Sequence, residues 1–565
     1  MLAATVVGLA TLAGTSYATP LQARNSWSDK YERCNALWDE APKHLAELTV
    51  NLANYVDAGT TINETANGAF IPVGTDLGPF CRFSANITTS AKSSVRFEVW
   101  LPDDDVWNGN HMMVGNGGDA GYIRYDEMQV PVNKYGFAVA CTNTGHDGDS
   151  GDGTFALNNP QSQIDFGYRA VHLTTVYSKE IVKLYYGKKA ELSYWNGCSS
   201  GGKQGLKEIQ MFPEDYDAAL VGAPAWDWSR LDGWTYYVNA IVNNPNSTGY
   251  ITPSTWTPIH QEVLAQCDGL DGVEDGIITH PGRCFLDFDK FGCNGGSTAL
   301  NATNCLQPAQ LETLQYVYTN WTDPSTGKLI FPAFNIGSEF AFGFSVNGVP
   351  YGPAPSYFNY QILNVTSVIL PVDTPALLIN GVPPTEAQLI ELVRTGEMTD
   401  PGNTIAGNPD LSPFFKRGGK LLHYVGGADV LIPTNTSHVY YEKVRSKLGD
   451  VSDSYRFYEV VGMGHCSGGA GAYNFGQASQ NVKSAGGGSQ SSQFDAKHDA
   501  ILALRKWREE GDKPGVLIGA KYVGDDINNG VAYTRPICPW PALPVYKGGD
   551  KNDASSFDCE NAYSK

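Results

Sequence analysis

The amino-acid sequence predicts an α/β fold with a mostly parallel central sheet and a large inserted lid. Three observations carry this prediction. Strand-like and helix-like runs alternate through the first third of the chain. A glycine-rich turn, "YWNGCSSGGKQG", joins an apolar run to a helical one. The alternation stops near Trp226 and resumes only near residue 409. Alternation of this kind is how a parallel sheet covered by helices is encoded.

The elements follow in chain order. "MLAATVVGLATLAGTSYATP" holds a short apolar run and then Ser16-Tyr17-Ala18, a small-x-small cleavage pattern, so residues 1–18 are expected to be a secretory signal peptide. "SSVRFEVWLP", "HMMVGNGG" and "YGFAVACTNTG" are expected strands, and "FGYRAVHLTTVYSKEIVKLYYG" spaces its apolar residues as a helix does. Gly197-Cys198-Ser199-Ser200-Gly201 then spells G-x-S-x-G, the strand-to-helix turn that exposes a serine nucleophile in α/β-hydrolases. "YDAALVGAPA" is the next strand, and "KLLHYVG" a buried one after the interruption. The expected division is a catalytic domain over 19–225 and 409–565, with a lid over 226–408. Lids of this sort shape a pocket; Trp226, Trp228 and Trp234 are candidates to stack on a substrate ring or to fill the lid's own core.

Composition narrows the class. The 565 residues include 39 basic and 59 acidic ones, a net charge of −20, which argues against nucleic acid or an anionic membrane as partner. After the leader no apolar run is long enough to span a bilayer. Sequons at Asn63, Asn86, Asn246, Asn301, Asn320, Asn364 and Asn435 are candidate glycan sites in a secreted, extracellular protein. Eleven cysteines in an exported chain should mostly pair, and Cys141, inside an apolar run, is expected to be the single free thiol.

A serine hydroxyl needs a base, a group to orient the base, and donors for the developing oxyanion. Asp429 follows a predicted strand and a Gly-Gly turn, and His465 follows another strand and a glycine loop; with Ser199 they give the order Ser, acid, His. His423 lies within a buried strand and His438 in a helical run, so both fit less well as the base. Cys198 precedes the serine and Cys466 follows the histidine, which predicts a Cys198–Cys466 disulfide holding the two loops together. Cys198 as the nucleophile is the less favoured alternative. The expected oxyanion donors are the N–H of Ser200 and one from the loop "VGNGGDAG", where spacing leaves Gly117 and Gly118 both open. In "CDGLDGVEDGIITHPGRC" the carboxylates of Asp268, Asp271 and Asp275 crowd together, and a hard cation with oxygen ligands would relieve their repulsion; an ordinary solvated acidic turn is the alternative. Glu274 is expected to face solvent.

Cys198-Ser199, Asp429 and His465-Cys466 resemble the CS-D-HC signature of the tannase and feruloyl esterase family, which also includes the bacterial hydrolase of mono-hydroxyethyl terephthalate. "GNGGDAG", "GHDGD", "GCSSGGKQG", "CDGLDGVEDGI", "RGGKLLHYVGGAD", "GMGHC" and "TRPICPWP" follow in family-like order along nearly the whole mature chain. The resemblance implies an α/β-hydrolase domain, a lid with a structural Ca2+ held by Asp268, Asp271, Asp275 and the carbonyls of Val273 and Ile277, and Gly118 as the second oxyanion donor. It implies the further pairs Cys34–Cys81, Cys267–Cys284, Cys293–Cys305 and Cys538–Cys559, with Cys141 unpaired. It also implies a serine carboxylesterase with no organic cofactor, acting on feruloyl or related hydroxycinnamoyl esters of plant cell-wall polysaccharides such as xylan. A tannase acting on galloyl esters is the alternative. A non-catalytic, calcium-dependent binding protein on a hydrolase scaffold is the alternative of another class.

Overall fold

Nine strands hydrogen-bond into one sheet, in a computed structural model that describes residues 30–62, 74–297, 299–366, 376–480 and 490–563. The expected leader at 1–18 and the sequon at Asn63 lie outside the described residues. In chain order the strands are β1 (Leu48–Val56), β2 (Phe80–Ser90), β3 (Ser93–Pro102), β4 (His111–Val114), β5 (Ala138–Thr142), β6 (Ser193–Cys198), β7 (Ala218–Gly222), β8 (Lys420–Gly426) and β9 (Tyr455–Val460). Their spatial order is β1-β2-β3-β5-β4-β6-β7-β8-β9. The six strands from β5 to β9 run parallel, and β1 to β3 add an antiparallel edge.

The parallel strands are short, apolar and buried on both faces, as a sheet covered by helices on each side requires. The predicted long helix is present as α1 (Ala170–Tyr186), entered through a π-helical turn at Asp165–Arg169 and ended by Gly187 in the left-handed conformation. Strands β6, β7, β8 and β9 all finish on the same side, so the loops after them share one edge. In open parallel sheets that carboxyl edge is where ligands bind.

The buried apolar residues form two large cores. The first is the sheet core, with Trp100, Trp195, Leu220, Leu422 and Phe457. The second is built almost entirely from the insertion, around Trp256, Trp321, Phe342, Phe358 and Leu389. Within it α3 (Trp228–Tyr236) crosses α4 (Glu386–Thr399) closely: a Cβ on Gly233 would stand 2.3 Å from Val393 Cγ2, so only glycine fits that crossing.

Five disulfides cross-link the chain: Cys34–Cys81, Cys198–Cys466, Cys267–Cys284, Cys293–Cys305 and Cys538–Cys559. Cys141 is free and buried. Among the sequons, Asn246, Asn301, Asn320, Asn364 and Asn435 are exposed and Asn86 is half-buried on β2. No helix among the described residues is long and apolar enough to cross a membrane.

Candidate active site

Ser199 sits between the last residue of β6 and the first residue of α2 (Ser200–Met211), with φ 65° and ψ −125°. That conformation costs a non-glycine residue about 1–3 kcal/mol and persists only where its surroundings impose it. Here they do. The Ser199 N–H donates to Gly222 O at the end of β7 (3.0 Å), the Gly201 N–H donates to Asn116 O (2.8 Å), and the Ala225 N–H donates back to Ser199 O (3.2 Å). The flanking glycines are required by close approach: a Cβ on Gly197 would lie 2.7 Å from Gly201 O, and one on Gly202 only 2.3 Å from Gly222 O.

Asp429 is fully buried in the loop after β8. Its Oδ1 accepts from the N–H groups of Leu431 and Ile432 (2.9 and 2.8 Å), and the carboxylate so held faces His465 Nδ1, 2.8 Å from Oδ2 and 3.1 Å from Oδ1. Nδ1 is thereby the ring atom held against the carboxylate. Ser199 and His465 line the same cavity, about 420 Å3 in volume. The disulfide beside them brings Cys198 and Cys466 to a Cα separation of 6.0 Å across 268 residues of sequence. The other two histidines are engaged elsewhere. His423 is buried between Tyr455 Oη and Ser437 Oγ, and burial pushes its pKa down to about 3; His438 pairs with Glu459.

The glycine loop after β4 reaches the same cavity. Gly118 has φ 56°, and a Cβ there would stand 2.4 Å from Ser150 O, so the position admits no other residue without a shift. Ser200 Oγ donates to Gly118 O at 2.7 Å, tying this loop to the start of α2. The Ser200 N–H belongs to the first turn of that helix, where N–H groups have no intrahelical acceptor. Both residues face the cavity with Ser199.

The insertion also lines the cavity, through Trp228, Leu231, Asp232, Thr235 and Tyr351. Of the three tryptophans considered from the sequence, Trp228 alone lines this cavity. Trp226 packs on Tyr440 in the sheet core and donates to Thr436 O, while Trp234 packs between Phe331 and Phe334 in the second core. Asp232 escaped sequence reading. Its one signal was an acidic residue within the aromatic run "WSRLDGWTY".

The acidic loop is closed by Cys267–Cys284. Asp268 accepts from the N–H groups of Asp275 and Gly276, Asp271 from Val273, and Asp275 pairs with Arg535 at 2.5 Å. Each carboxylate is thus turned to its own partner. Among the described residues, acidic and histidine ligand atoms come within 4.8 Å of one another at His172, Glu208 and Asp215, not at this loop. The donor chemistry still suits a hard cation. The Val273 and Ile277 carbonyls accept no backbone hydrogen bond among the described residues although both residues are buried, and burial with neighbouring negative charge raises the Asp271 and Asp275 carboxyls. Glu274 is exposed.

A strained serine turn and a histidine held by a buried aspartate, on loops at the carboxyl edge of a mostly parallel sheet, define an α/β-hydrolase. The family model described as "Tannase and feruloyl esterase" matches residues 81–390 and 403–560. A protein of Neosartorya fischeri named "Probable feruloyl esterase B-1" is 34% identical over 98% of this chain and 99% of its own. The crystal structure of feruloyl esterase B from Aspergillus oryzae superposes with a TM-score of 0.81, at 31% identity over 94% of this chain and 100% of that one. A tannin acyl hydrolase structure from Aspergillus niger shares the fold, with a TM-score of 0.69 at 22% identity over 94% of this chain and 95% of that one. The chain belongs to the tannase and feruloyl esterase family, and is a carboxylic ester hydrolase.

Proposed function

We propose that this protein is a secreted serine esterase that hydrolyses feruloyl and related hydroxycinnamoyl esters of plant cell-wall polysaccharides. One observation carries the mechanism: the Asp429–His465 pair and Ser199 meet at a single cavity, with a disulfide joining their neighbouring residues. Ser199 Oγ attacks the ester carbonyl while His465 takes its proton, and Asp429 holds the imidazole in place and stabilises its cation. The N–H groups of Gly118 and Ser200 receive the oxyanion. His465 then protonates the departing alcohol, and water, activated by the same base, releases the aromatic acid.

The segment 226–408 acts as the lid, a reading supported by the residues it contributes to the cavity that Ser199 lines. Asp268, Asp271, Asp275 and the carbonyls of Val273 and Ile277 would hold a structural Ca2+, whose contribution is to neutralise and rigidify the loop. The exposed sequons are its glycan sites. The deciding experiment compares hydrolysis of methyl ferulate, methyl p-coumarate and methyl gallate by the purified protein and by Ser199→Ala. Cleavage of the two cinnamates, lost in the variant, is expected. Cleavage of gallate alone removes the feruloyl assignment, and an active Ser199→Ala removes the mechanism.

A further inference from the structure

Beside the cavity are three ionisable side chains that acyl transfer does not use. Asp232, on α3, lines the cavity with Ser199 and His465, is 4% exposed, and its Oδ2 has no protein partner. Asp119 and Lys203 are fully buried, and neither the two Asp119 carboxylate oxygens nor the Lys203 ammonium is hydrogen-bonded. Lys203 Nζ instead lies 4.1 Å from the centre of the Trp228 ring and 4.3 Å from that of Phe166. The Trp228 indole N–H, also buried, has no acceptor.

The three charges act on one another. Burial raises both carboxyls, with Asp119 reaching about 8; Lys203 opposes both rises, Asp152 and Asp149 add to that of Asp119, and Asp119 adds to that of Asp232. Burial lowers the Lys203 ammonium to about 7, against the pull of Asp119 and Asp232. Buried polar atoms almost always find a partner, and each one left without costs about 1–3 kcal/mol. Two of the residues with such atoms, Asp232 and Trp228, line the cavity, and a polar ligand there would meet the unpartnered carboxyl. Of these side chains Asp232 and Trp228 reach the cavity surface, beside the apolar Leu231 and Ile432. An aromatic ring fits between such walls, and a hydroxyl on that ring would meet a carboxyl that lacks a partner.

We infer that Asp232 is the specificity-determining residue for the acid half of the ester: its carboxyl hydrogen-bonds a ring hydroxyl of the aromatic acyl group, with Trp228 along the ring and Lys203 and Asp119 fixing the charge behind it. This takes the identity of the ligand from the esterase reading above and adds the group that reads it. An acyl ring without a hydroxyl leaves Asp232 unpaired, and sites built to bond a hydroxyl reject analogues that lack one.

The test uses binding, so that it does not depend on turnover. Calorimetry measures methyl cinnamate, methyl 3-hydroxycinnamate and methyl 4-hydroxycinnamate on the full-length Ser199→Ala protein. At least one hydroxylated ester is expected to bind about tenfold or more tightly than cinnamate. In Ser199→Ala/Asp232→Leu that ratio should collapse to within about threefold, about 0.7 kcal/mol. If the Asp232-intact protein binds all three esters alike, or if the ratio survives the leucine substitution, the inference is overturned even where the native enzyme cleaves every ester. A hydroxyl preference in a native protein that cleaves none of them would sink the esterase reading and leave this one standing. Failure of all three to bind overturns both.

Discussion

The carboxyl edge of the sheet and the inserted segment meet at one cavity but are held together in different ways. At the edge, Ser199, Asp429 and His465 stand on short loops between strands whose pairing is long-range and regular, and the disulfide between them spans 268 residues. The insertion has, among the described residues, only short β-pairings, a largely separate core, and two local disulfides spanning 17 and 12 residues. Reacting atoms need positions good to a fraction of an ångström, because a misplacement of about 1 Å can cost about 100-fold in rate. Acid selection needs only a shaped wall with one or two polar groups. The backbone ladder supplies the first, and side-chain packing is enough for the second.

That contrast can be broken by experiment. The largest effect is expected from Ser199→Ala, which should lower kcat/KM by about 10^4-fold or more with little change in melting temperature. A loss of stability instead would mean that the strained turn, not the hydroxyl, was being read. Removing the long-range bridge with Cys198→Ala/Cys466→Ala should cost about 2–4 kcal/mol of stability, seen in urea unfolding, and about 100-fold in kcat. Cys267→Ala/Cys284→Ala should also destabilise the protein while leaving kcat within about threefold. If the two double variants lost rate equally, the division between edge and insertion would be wrong.

Metal should act on the insertion and scarcely on the chemistry. Calcium added to chelator-treated protein is expected to raise the melting temperature by a few degrees, since a ligand at 100 times its Kd contributes about 2.7 kcal/mol. Asp271→Asn should weaken that response, with kcat changing by less than about twofold. The smallest effect concerns Cys141. Burial pushes its thiol up to about 12. The reactive thiolate is therefore scarce at pH 8, and iodoacetamide should leave the native protein unlabelled and fully active. Labelling that inactivates it would expose a mobile β5.

Much of the site is legible before folding because its signals are local. The glycines around Ser199, the cysteine beside it, the Gly-Gly turn before Asp429 and the His465-Cys466 pair each mark a turn within a few residues of the chemistry. The alternation of runs likewise encodes a parallel sheet, since strands buried on both faces read as mostly apolar runs. Tertiary structure alone decided that the Asp429 carboxylate meets His465 Nδ1, and that β1 to β3 run antiparallel. It alone decided that Trp228, a member of the second core, also lines the cavity while Trp226 and Trp234 do not, and that Asp232 and Lys203 act on one another though far apart in sequence. The reason is physical: a turn is specified by its own residues, whereas the direction of a side chain in an irregular, closely packed segment is set by partners that only folding brings near.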